Sequence, residues 1–544
     1  MLLRPHNASL DAAIATGSET SARLHMPYAR ESGDLAGASP RVVGGRQSRE
    51  GDEPQAVARA SEESRALVVP EKPANSEVTP EESVEGRGAA NGKLAERNTL
   101  RAQDRQSVHT HLLRVGERAR ENKQEQFTNL LSHIKLPLLR EAYQSLKKNA
   151  AAGVDGETWA GYGEDLDARL MDLQDRVHRG SYHPQPVRRV QIPKPDGRTR
   201  PLGIPTLEDK VVQQAVRMLL EPIYEADFLG FSYGFRPNRS QHKALDALYV
   251  ALGGKANWVL DVDVRSFFET IDHGWMRKFI EHRIGDTRLV RLLMKWLNAG
   301  VMEDGKLRAV ESGTPQGGII SPLLANVYLH YALDLWAHQW RKQNARGEVR
   351  LVRYADDLVI CFQHEQDARA MHTALAERLA KFSLELHPEK TRLLRFGRFA
   401  RRDSVLDQRR RPETFDFLGF THICAQSPDG KFRLVRRTSR KKRTAKLAAL
   451  KEEIERRKHH RVVEQHAWLN QVLRGHYNYY GVPGNFTALA SFRYRVRDVW
   501  HRALQRRSQR ARWTRTKREA FDASFPLLRS RLTQAHPLAR FSRP

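Results

Sequence analysis

The segment RYADDLVI at positions 353–360 places two aspartates, Asp356 and Asp357, side by side between residues that are typical of buried strands. Neighbouring carboxylates repel each other, and burying a charge is costly unless an opposite charge lies next to it. A divalent cation bound by both carboxylates would relieve this repulsion. Adjacent aspartates are also common in ordinary turns, so a metal site needs support from other parts of the chain.

A second acidic segment, VLDVDVRSFF, supplies Asp261 and Asp263. Side chains alternate along a strand, so these two carboxylates would point to the same side. One of them beside the 356–357 turn would complete a cluster of three carboxylates, the hard oxygen ligands that suit Mg²⁺. Two such ions can stabilise the attacking and the leaving oxygen of a phosphoryl transfer. The spacing therefore indicates metal-dependent phosphoryl transfer, with Asp261 as a solvated or structural acid in the alternative interpretation.

These carboxylates must be positioned by strands and by the helices that cover them. The segment 351–362 predicts a strand, a tight turn and a second strand, and 257–272 predicts a strand that leads into a helix. Upstream, QPVRRVQIPKPDGRTRPLGIP (185–205) predicts a hairpin with its turn at Pro195-Asp196-Gly197. Helical patterns follow at LEDKVVQQAVRMLLEPIY and at ARAMHTALAERLAKFSLEL. This order of elements indicates an α+β fold in which helices cover a sheet.

The two ends of the chain differ from this central part. Residues 1–122 contain few aromatic residues, and a segment such as 70–93 cannot bury enough apolar area to offset its ordering entropy. We therefore predict a disordered N-terminal tail. From about residue 440 the strand patterns stop, and two basic segments, 441–460 and 490–510, predict helices. The apolar residues that share one face of the second helix are Phe492, Val496, Val499 and Ala503.

The charge balance points to a polyanionic partner. The 544 residues include 92 Lys+Arg and 64 Asp+Glu, a net charge of +28, and residues 431–544 alone carry about +23. A field of this sign favours nucleic acid or an anionic membrane surface. No run of about 18 apolar residues occurs, so a membrane-spanning helix is not expected. Two cysteines, Cys361 and Cys424, exclude a disulfide framework and a cysteine-rich zinc site, and they fit a reducing bacterial cytoplasm.

Residues from about 124 to 420 resemble a group II intron reverse transcriptase. Several motifs of that family occur in the expected order, with YADD (354–357) as the polymerase box and DVRSFF (263–268) as the first acidic motif. The other matching motifs are IPKPDGRTRPLGIP, YGFRPNRSQHKAL, TPQGGIISP, LELHPEKTRLLRFG and FDFLGF. The resemblance implies an RNA-directed DNA polymerase with a right-hand fold.

The resemblance also implies roles for individual residues. It makes Asp263, Asp356 and Asp357 the catalytic ligands of two Mg²⁺ ions, and it gives Asp261 no role. It places Tyr354 beneath the primer end, with Lys390 as a neighbouring residue of uncertain role or a structural partner of the carboxylates. The residues implied to contact the incoming nucleotide are Lys194, Arg200, Gln316 and Phe268, the last of which would exclude a 2′-hydroxyl.

The basic C-terminal part contains LRGHYNYYGVPGN (473–485), which resembles the maturase, or thumb, domain of the same family. Aromatic side chains can stack on unpaired bases while arginines bind phosphates. The candidate RNA-binding residues of this segment are Arg474, His476, Tyr477 and Tyr480. The alternative is an ordinary helical bundle in which the tyrosines belong to the core.

Together, these features predict fingers and palm at 123–425, an α-helical maturase (thumb) domain at 426–515 and a basic segment at 516–544. No cysteine follows Cys424, so we expect no zinc-supported endonuclease domain. The expected partners are group II intron RNA, a DNA target and primer, and deoxynucleoside triphosphates, with no membrane; the oligomeric state is not predicted. Alternatives are an RNA-binding splicing factor with an inactive polymerase and a domesticated or defence-associated reverse transcriptase.

Overall fold

The computed structural model describes residues 88–193, 199–303, 306–308, 317–406, 411–507 and 513–541. Helices and strands alternate up to about residue 438, and only helices follow in the described residues after it. The structure is therefore α+β, as the sequence predicts.

The helices of the described residues follow one another along the chain, with a π-helical turn (His330–Asp334) between α10 and α11. Their bounds are α1 (Gly88–Glu121), α2 (Leu136–Ser145), α3 (Trp159–Tyr162), α4 (Leu166–Arg179), α5 (Leu207–Asp227), α6 (Gln241–Gly253), α7 (Phe267–Thr270), α8 (His273–Glu281), α9 (Thr287–Leu297), α10 (Ser321–Leu329), α11 (Leu335–Gln343), α12 (Glu365–Ala380), α13 (Ala400–Leu406), α14 (Arg440–Arg456), α15 (Val462–Tyr480), α16 (Phe486–Gln505), α17 (Arg515–Ser524) and α18 (Pro537–Phe541).

The strands form three sheets, with orders β2-β1-β4-β5, β6-β7-β3-β8 and β11-β10-β9. Their bounds are β1 (Val187–Pro193), β2 (Thr199–Ile204), β3 (Trp258–Val262), β4 (Val301–Glu303), β5 (Lys306–Arg308), β6 (Val349–Tyr354), β7 (Asp357–Phe362), β8 (Arg392–Arg395), β9 (Thr414–Phe417), β10 (Phe420–Gln426) and β11 (Phe432–Thr438). The predicted hairpin is the antiparallel pair β1–β2, although its predicted turn residues lie outside the described ones.

The prediction of a disordered tail is wrong for residues 88–121, which form the 34-residue helix α1. Ala119 of this helix is completely buried, and Val108, Leu112 and Val115 pack against the main core. These four residues recur at the spacing of one helical face, so the helix buries an apolar stripe that the polar composition conceals. Residues 1–87 of the predicted tail lie outside the described part of the chain.

The sheet β6-β7-β3-β8 is the element that positions the acidic residues. Its central strands β7 and β3 are antiparallel and consist mostly of buried apolar residues, such as Val259, Leu260 and Ile360. Helices cover both faces, because side chains of these strands belong to two different apolar clusters. A central strand that is buried on both faces is rigid, and residues at its ends are held accurately.

The C-terminal helices form a separate apolar cluster around α15 and α16. Phe492, Val496 and Ala503 of the predicted apolar face are buried, and Val499 packs against them, which confirms the helical prediction there. Within the described residues, no helix is both long and apolar enough to cross a membrane.

Candidate active site

The two adjacent aspartates lie at a tight hairpin turn between β6 and β7. Tyr354 and Asp357 face each other as the last paired residues, so Ala355 and Asp356 form the turn. Ala355 has a φ of 57°, a left-handed conformation that is uncommon for a residue with a side chain. The backbone therefore reverses within two residues, and both aspartates lie at one end of the sheet.

The first acidic motif lies beside this turn. In the antiparallel pair β3–β7, Val262 lies opposite Leu358, and Asp263 directly follows Val262. The end of β3 thus meets the start of β7, where Asp357 lies. This strand pairing places the backbone of Asp263 beside the turn that carries Asp356 and Asp357, as the predicted cluster requires.

The electrostatics of Asp357 reflect this crowding. The surrounding protein takes water away from its carboxyl, the negative charges of Asp356, Asp263 and Asp261 add to this, and its pKa rises to about 7. Because the residue is still exposed to solvent at the turn, like-charge repulsion is the cause that the geometry supports more firmly. Such a site favours a positive ligand.

Lys390 supplies one positive charge at this place. Its Nζ lies 2.5 Å from Oδ2 of Asp263, and the backbone amide of His387 donates to the carbonyl of Asp263 at 2.8 Å. No three acidic, histidine or cysteine side chains of the described residues already converge as a metal-binding group. Asp263, Asp356 and Asp357 nevertheless supply the hard oxygen donors that a divalent cation binds, and all three keep some exposure to solvent at this end of the sheet.

Asp261, like Asp263, has a basic side chain beside its carboxylate. Its Oδ2 lies 3.4 Å from the Arg392 guanidinium. Burial raises the pKa of Asp261 to about 6, and the nearby Asp263 charge adds to this while Arg392 opposes it. The residue is thus a paired structural neighbour of the cluster, in agreement with the absence of an implied role.

Two aromatic residues with implied roles lie near the cluster. Phe268 is half-buried on α7, and its ring meets that of Phe267 edge to face, 5.2 Å between centroids. Tyr354 is half-buried at the end of β6. Both rings keep part of their surface accessible to solvent.

The remaining candidates for nucleotide contact are only partly described. Lys194 and Gln316 lie outside the described residues. The backbone of Arg200 lies in β2, where it pairs with Ile192. The structure therefore confirms the hairpin but not the direction of these side chains.

The candidates for RNA contact on α15 divide into two groups. Arg474 is exposed and Tyr480 is half-buried. Tyr477 is completely buried and donates its hydroxyl to the Leu528 carbonyl at 3.0 Å, and His476 stacks on a core phenylalanine at 3.8 Å between centroids. Direct RNA contact is the wrong prediction for His476 and Tyr477, because their rings fill the core of the C-terminal helices.

Two further residues near the cluster were not assigned from the sequence. Phe235 has a φ of 57°, is 48% exposed, and its ring centroid lies 6.2 Å from that of Tyr354. Lys442, near the start of α14, lies close enough to lower the pKa of Asp357. Phe235 belongs to the matching motif YGFRPNRS, and an aromatic residue in a polar loop was the available signal.

Comparison with known proteins agrees with this geometry. The family model of the reverse transcriptase (RNA-dependent DNA polymerase) matches residues 192–422, which include both acidic segments. A domain of this family implies the right-hand polymerase fold, and such domains generally use divalent metal ions.

Among individual proteins, the group II intron-encoded protein LtrA of Lactococcus lactis subsp. cremoris is 42% identical over 224 residues, 40% of this chain and 37% of LtrA. Protein YkfC of Escherichia coli (strain K12) is 34% identical over 318 residues, 52% of this chain and 78% of YkfC. A 91 kDa protein in the cob intron of Schizosaccharomyces pombe is 36% identical over 193 residues, 35% of this chain and 23% of that protein. The match thus spans little more than a third of LtrA but most of YkfC. With the ordered motifs and the carboxylate geometry, these similarities show that the chain belongs to the family of group II intron-encoded reverse transcriptases and maturases.

Proposed function

We propose that this protein is an RNA-directed DNA polymerase that copies group II intron RNA into DNA, and that it also binds the intron RNA and assists its splicing. The observation that carries the polymerase assignment is the pairing of β3 with β7, which sets the segment of Asp263 beside the turn of Asp356 and Asp357. Burial and the negative charges of Asp356, Asp263 and Asp261 raise the pKa of Asp357 to about 7, which supports a site for positive charge at this end of the sheet.

The chemistry of this site follows from its charges. Asp263, Asp356 and Asp357 would hold two Mg²⁺ ions, which when bound lower the pKa of a primer 3′-hydroxyl and offset charge on the leaving pyrophosphate. Lys390 keeps Asp263 neutralised before substrate binds. Tyr354, with Phe235 beside it, offers a half-open aromatic surface for the primer end.

Nucleotide selection would fall to residues around this edge. The half-buried ring of Phe268 would meet a 2′-hydroxyl and so favour deoxynucleotides over ribonucleotides. Lys194 and Arg200 on the β1–β2 hairpin would neutralise the triphosphate, and Gln316 would contact the incoming nucleotide.

The C-terminal helices would bind RNA. We propose fingers and palm from residue 88, with α1 included, to about 425, a maturase (thumb) domain at 426–515 and a basic segment at 516–544. Residues 431–544 carry about +23 charges, and Arg474 is exposed on α15. Phosphate contacts of this kind bind without reading sequence. The free, buried thiols of Cys361 and Cys424 agree with the bacterial cytoplasm as the proposed compartment.

The test is template-directed synthesis by the purified chain. An RNA template, a DNA primer, deoxynucleotides and Mg²⁺ should give extended primer, and chelation of the metal should stop the extension. A second assay should follow splicing of the host intron RNA with and without the protein. A protein that accelerates splicing but extends no primer would reduce the proposal to an RNA-binding splicing factor.

A further inference from the structure

Directly before the catalytic turn, Arg353 is completely buried and paired with an equally buried Asp334. Its Nε and Nη2 donate to the two carboxylate oxygens of Asp334 at 2.7 and 2.5 Å. Replacing a buried ion pair by apolar residues of similar volume is often neutral or stabilising. Stability alone therefore does not explain why a chain places this pair in the core of its polymerase sheet.

The second hydrogen-bonding end of the guanidinium suggests another role. Nη1 of Arg353 donates to the carbonyl of Ala355 at 2.9 Å and to Oδ1 of Asn326 at 3.1 Å. Ala355 is the turn residue with the left-handed backbone, and its carbonyl belongs to the peptide that links it to Asp356. The bond therefore constrains the peptide plane from which the first aspartate departs.

The opposite side of the turn is restrained by a close backbone contact. The Asn326 amide nitrogen donates to the carbonyl of Gly234 at 2.7 Å. A Cβ on Gly234 would lie only 2.3 Å from the backbone nitrogen of Ala355, so this position requires glycine for steric reasons. The segment before it also pairs with β6, since the amide of Arg353 donates to the carbonyl of Phe231 at 2.9 Å.

Asp334 occupies the last position of the π-helical turn His330–Asp334 between α10 and α11. A π-turn carries a wider backbone ring than an α-helix and often occurs at functional sites. Asn326 lies on α10, which begins at Ser321 within the TPQGGIISP motif. The Arg353 guanidinium thus contacts the YADD turn, α10 and the π-helical turn, and through Asn326 it is linked to Gly234 of the YGFRPNRS segment.

We propose that Arg353 is a positioning residue for polymerisation, which, with Asp334 and Asn326 fixing its guanidinium, holds the Ala355 peptide so that Asp356 and Asp357 keep their orientation toward Asp263. This inference rests on the proposed polymerase function. It differs from a purely structural role because loss of the tether should slow the chemical step in protein that remains folded.

The principal variant replaces both members of the pair, Arg353→Met with Asp334→Leu. The apolar pair fills similar volume without a buried charge, so the urea midpoint should stay near that of the wild type. The rate constant of a single nucleotide incorporation should fall about 10²-fold, the effect of a misplacement of about 1 Å. The folded fraction, measured separately by circular dichroism, should stay unchanged, so that the lower rate constant reports carboxylate placement.

A matched control is the pair Arg283 and Asp227, whose side chains are also buried, at 1% and 10% exposure, and 2.9 Å apart. The Arg283 guanidinium donates to backbone carbonyls near the end of α1, among them that of Ala119. The variant Arg283→Met with Asp227→Leu should keep the wild-type rate constant in its folded fraction.

Arg353→Lys serves as a second test if the double variant does not fold. An ammonium can pair with Asp334 but cannot span both the carboxylate and the Ala355 carbonyl as the planar guanidinium does, so its rate constant should fall at least about 10-fold. Wild-type rate constants in either folded Arg353 variant, or an equal loss in the Arg283 control, would overturn the inference. Failure of the polymerase assignment is distinguishable, since wild-type protein would then extend no primer at all.

Discussion

At the scale of single residues, Phe268 gives the most selective test of nucleotide recognition. Its ring is half-buried on α7, where Phe267 supports it from one side. We expect Phe268→Ala to raise ribonucleotide incorporation at least about 10-fold while deoxynucleotide incorporation changes little, because a truncated side chain leaves room for a 2′-hydroxyl. Single-nucleotide kinetics with each sugar measure this ratio.

The control for this prediction is Phe267→Leu, which changes the buried neighbour but leaves the Phe268 ring in place. It should lower stability without changing the ratio of ribonucleotide to deoxynucleotide incorporation. An unchanged ratio in Phe268→Ala would show that another group excludes the hydroxyl.

A second residue, His422, makes stability depend on pH. Its ring is completely buried on β10, stacked on Phe415 at 4.8 Å, and burial followed by the charge of Arg436 lowers its pKa to about 3. The unfolded chain has the ordinary histidine pKa of about 6.5, so it binds a proton more readily than the folded chain between these values. Stability is thus complete above pH 6.5 and is lost as the pH falls toward 3, by on the order of 1 kcal/mol per pH unit.

The expected measurement is urea unfolding at pH 7.5 and pH 5. His422→Leu should lose less stability than the wild type between these two values, because one titrating group is gone. His330, whose pKa burial also lowers to about 3, and His476, whose pKa burial lowers to about 4, remain in both proteins and contribute to the residual slope. Equal losses in the two proteins would assign the acid sensitivity to other groups.

At the scale of elements, α14 is the helix for which an electrostatic role in RNA binding is most direct. Its first residues, Arg440 and Lys441, are exposed, and the adjacent Lys442 lies near Asp357. Each phosphate contact contributes about 0.7 to 0.9 to the slope of log affinity against log salt. Arg440→Gln with Lys441→Gln should therefore flatten that slope by about 1 to 2.

The charge-matched control is Arg277→Gln with Arg369→Gln, since Glu281 and Glu365 already offset these two arginines on exposed helices. It should leave the salt slope close to the wild-type value. Equal flattening in both variants would indicate that net charge, and not the start of α14, controls affinity.

The elements also show which features of the molecule can be predicted from sequence. The hairpin at the YADD turn follows from two apolar strands around polar turn residues. The carboxylates suggest only that the two acidic segments lie close together, and the structure adds the direct pairing of β3 with β7. The helix α1 was missed because its apolar residues are sparse in a polar segment, although Val108, Leu112, Val115 and Ala119 have helical spacing. The polar composition of this segment favours disorder, whereas the periodicity of its few apolar residues favours a helix.

Contacts between distant segments could not be predicted in the same way. The family resemblance alone suggests Lys390 as a partner of the carboxylates, and nothing in the sequence suggests the buried pair of Arg436 with Asp246, 190 positions apart. The burial of Tyr477 likewise depends on a later segment, which includes the carbonyl of Leu528. An aromatic residue in a basic helix fits RNA binding and core packing equally well when its partners are unknown. Tertiary packing decides between them, and for Tyr477 it selects the core.

At the scale of the whole molecule, the two proposed activities, DNA synthesis and splicing assistance, belong to different parts of one chain. We propose that DNA synthesis depends on three carboxylates at one end of the polymerase sheet, whereas splicing assistance depends on exposed basic residues such as Arg474. These parts pack together, since the Tyr479 hydroxyl of α15 donates to the carbonyl of Leu418 at 2.9 Å. The two activities should therefore be separable by substitutions that leave this packing intact.

The decisive measurement uses the double variant Asp356→Ala with Asp357→Ala. Its primer extension and its support of intron splicing are each compared with those of the wild type. The control is the double variant Asp172→Ala with Asp175→Ala on α4. It removes the same charge from two exposed side chains that are distant in sequence from the turn. We expect primer extension to fall at least about 10³-fold in the Asp356/Asp357 double variant and to stay unchanged in the control, because only the former loses metal-binding charge. Splicing and the unfolding midpoint of this double variant should stay at wild-type values. Retained primer extension would contradict the metal-binding role of the two aspartates, and loss of splicing in the folded variant would contradict two separable activities.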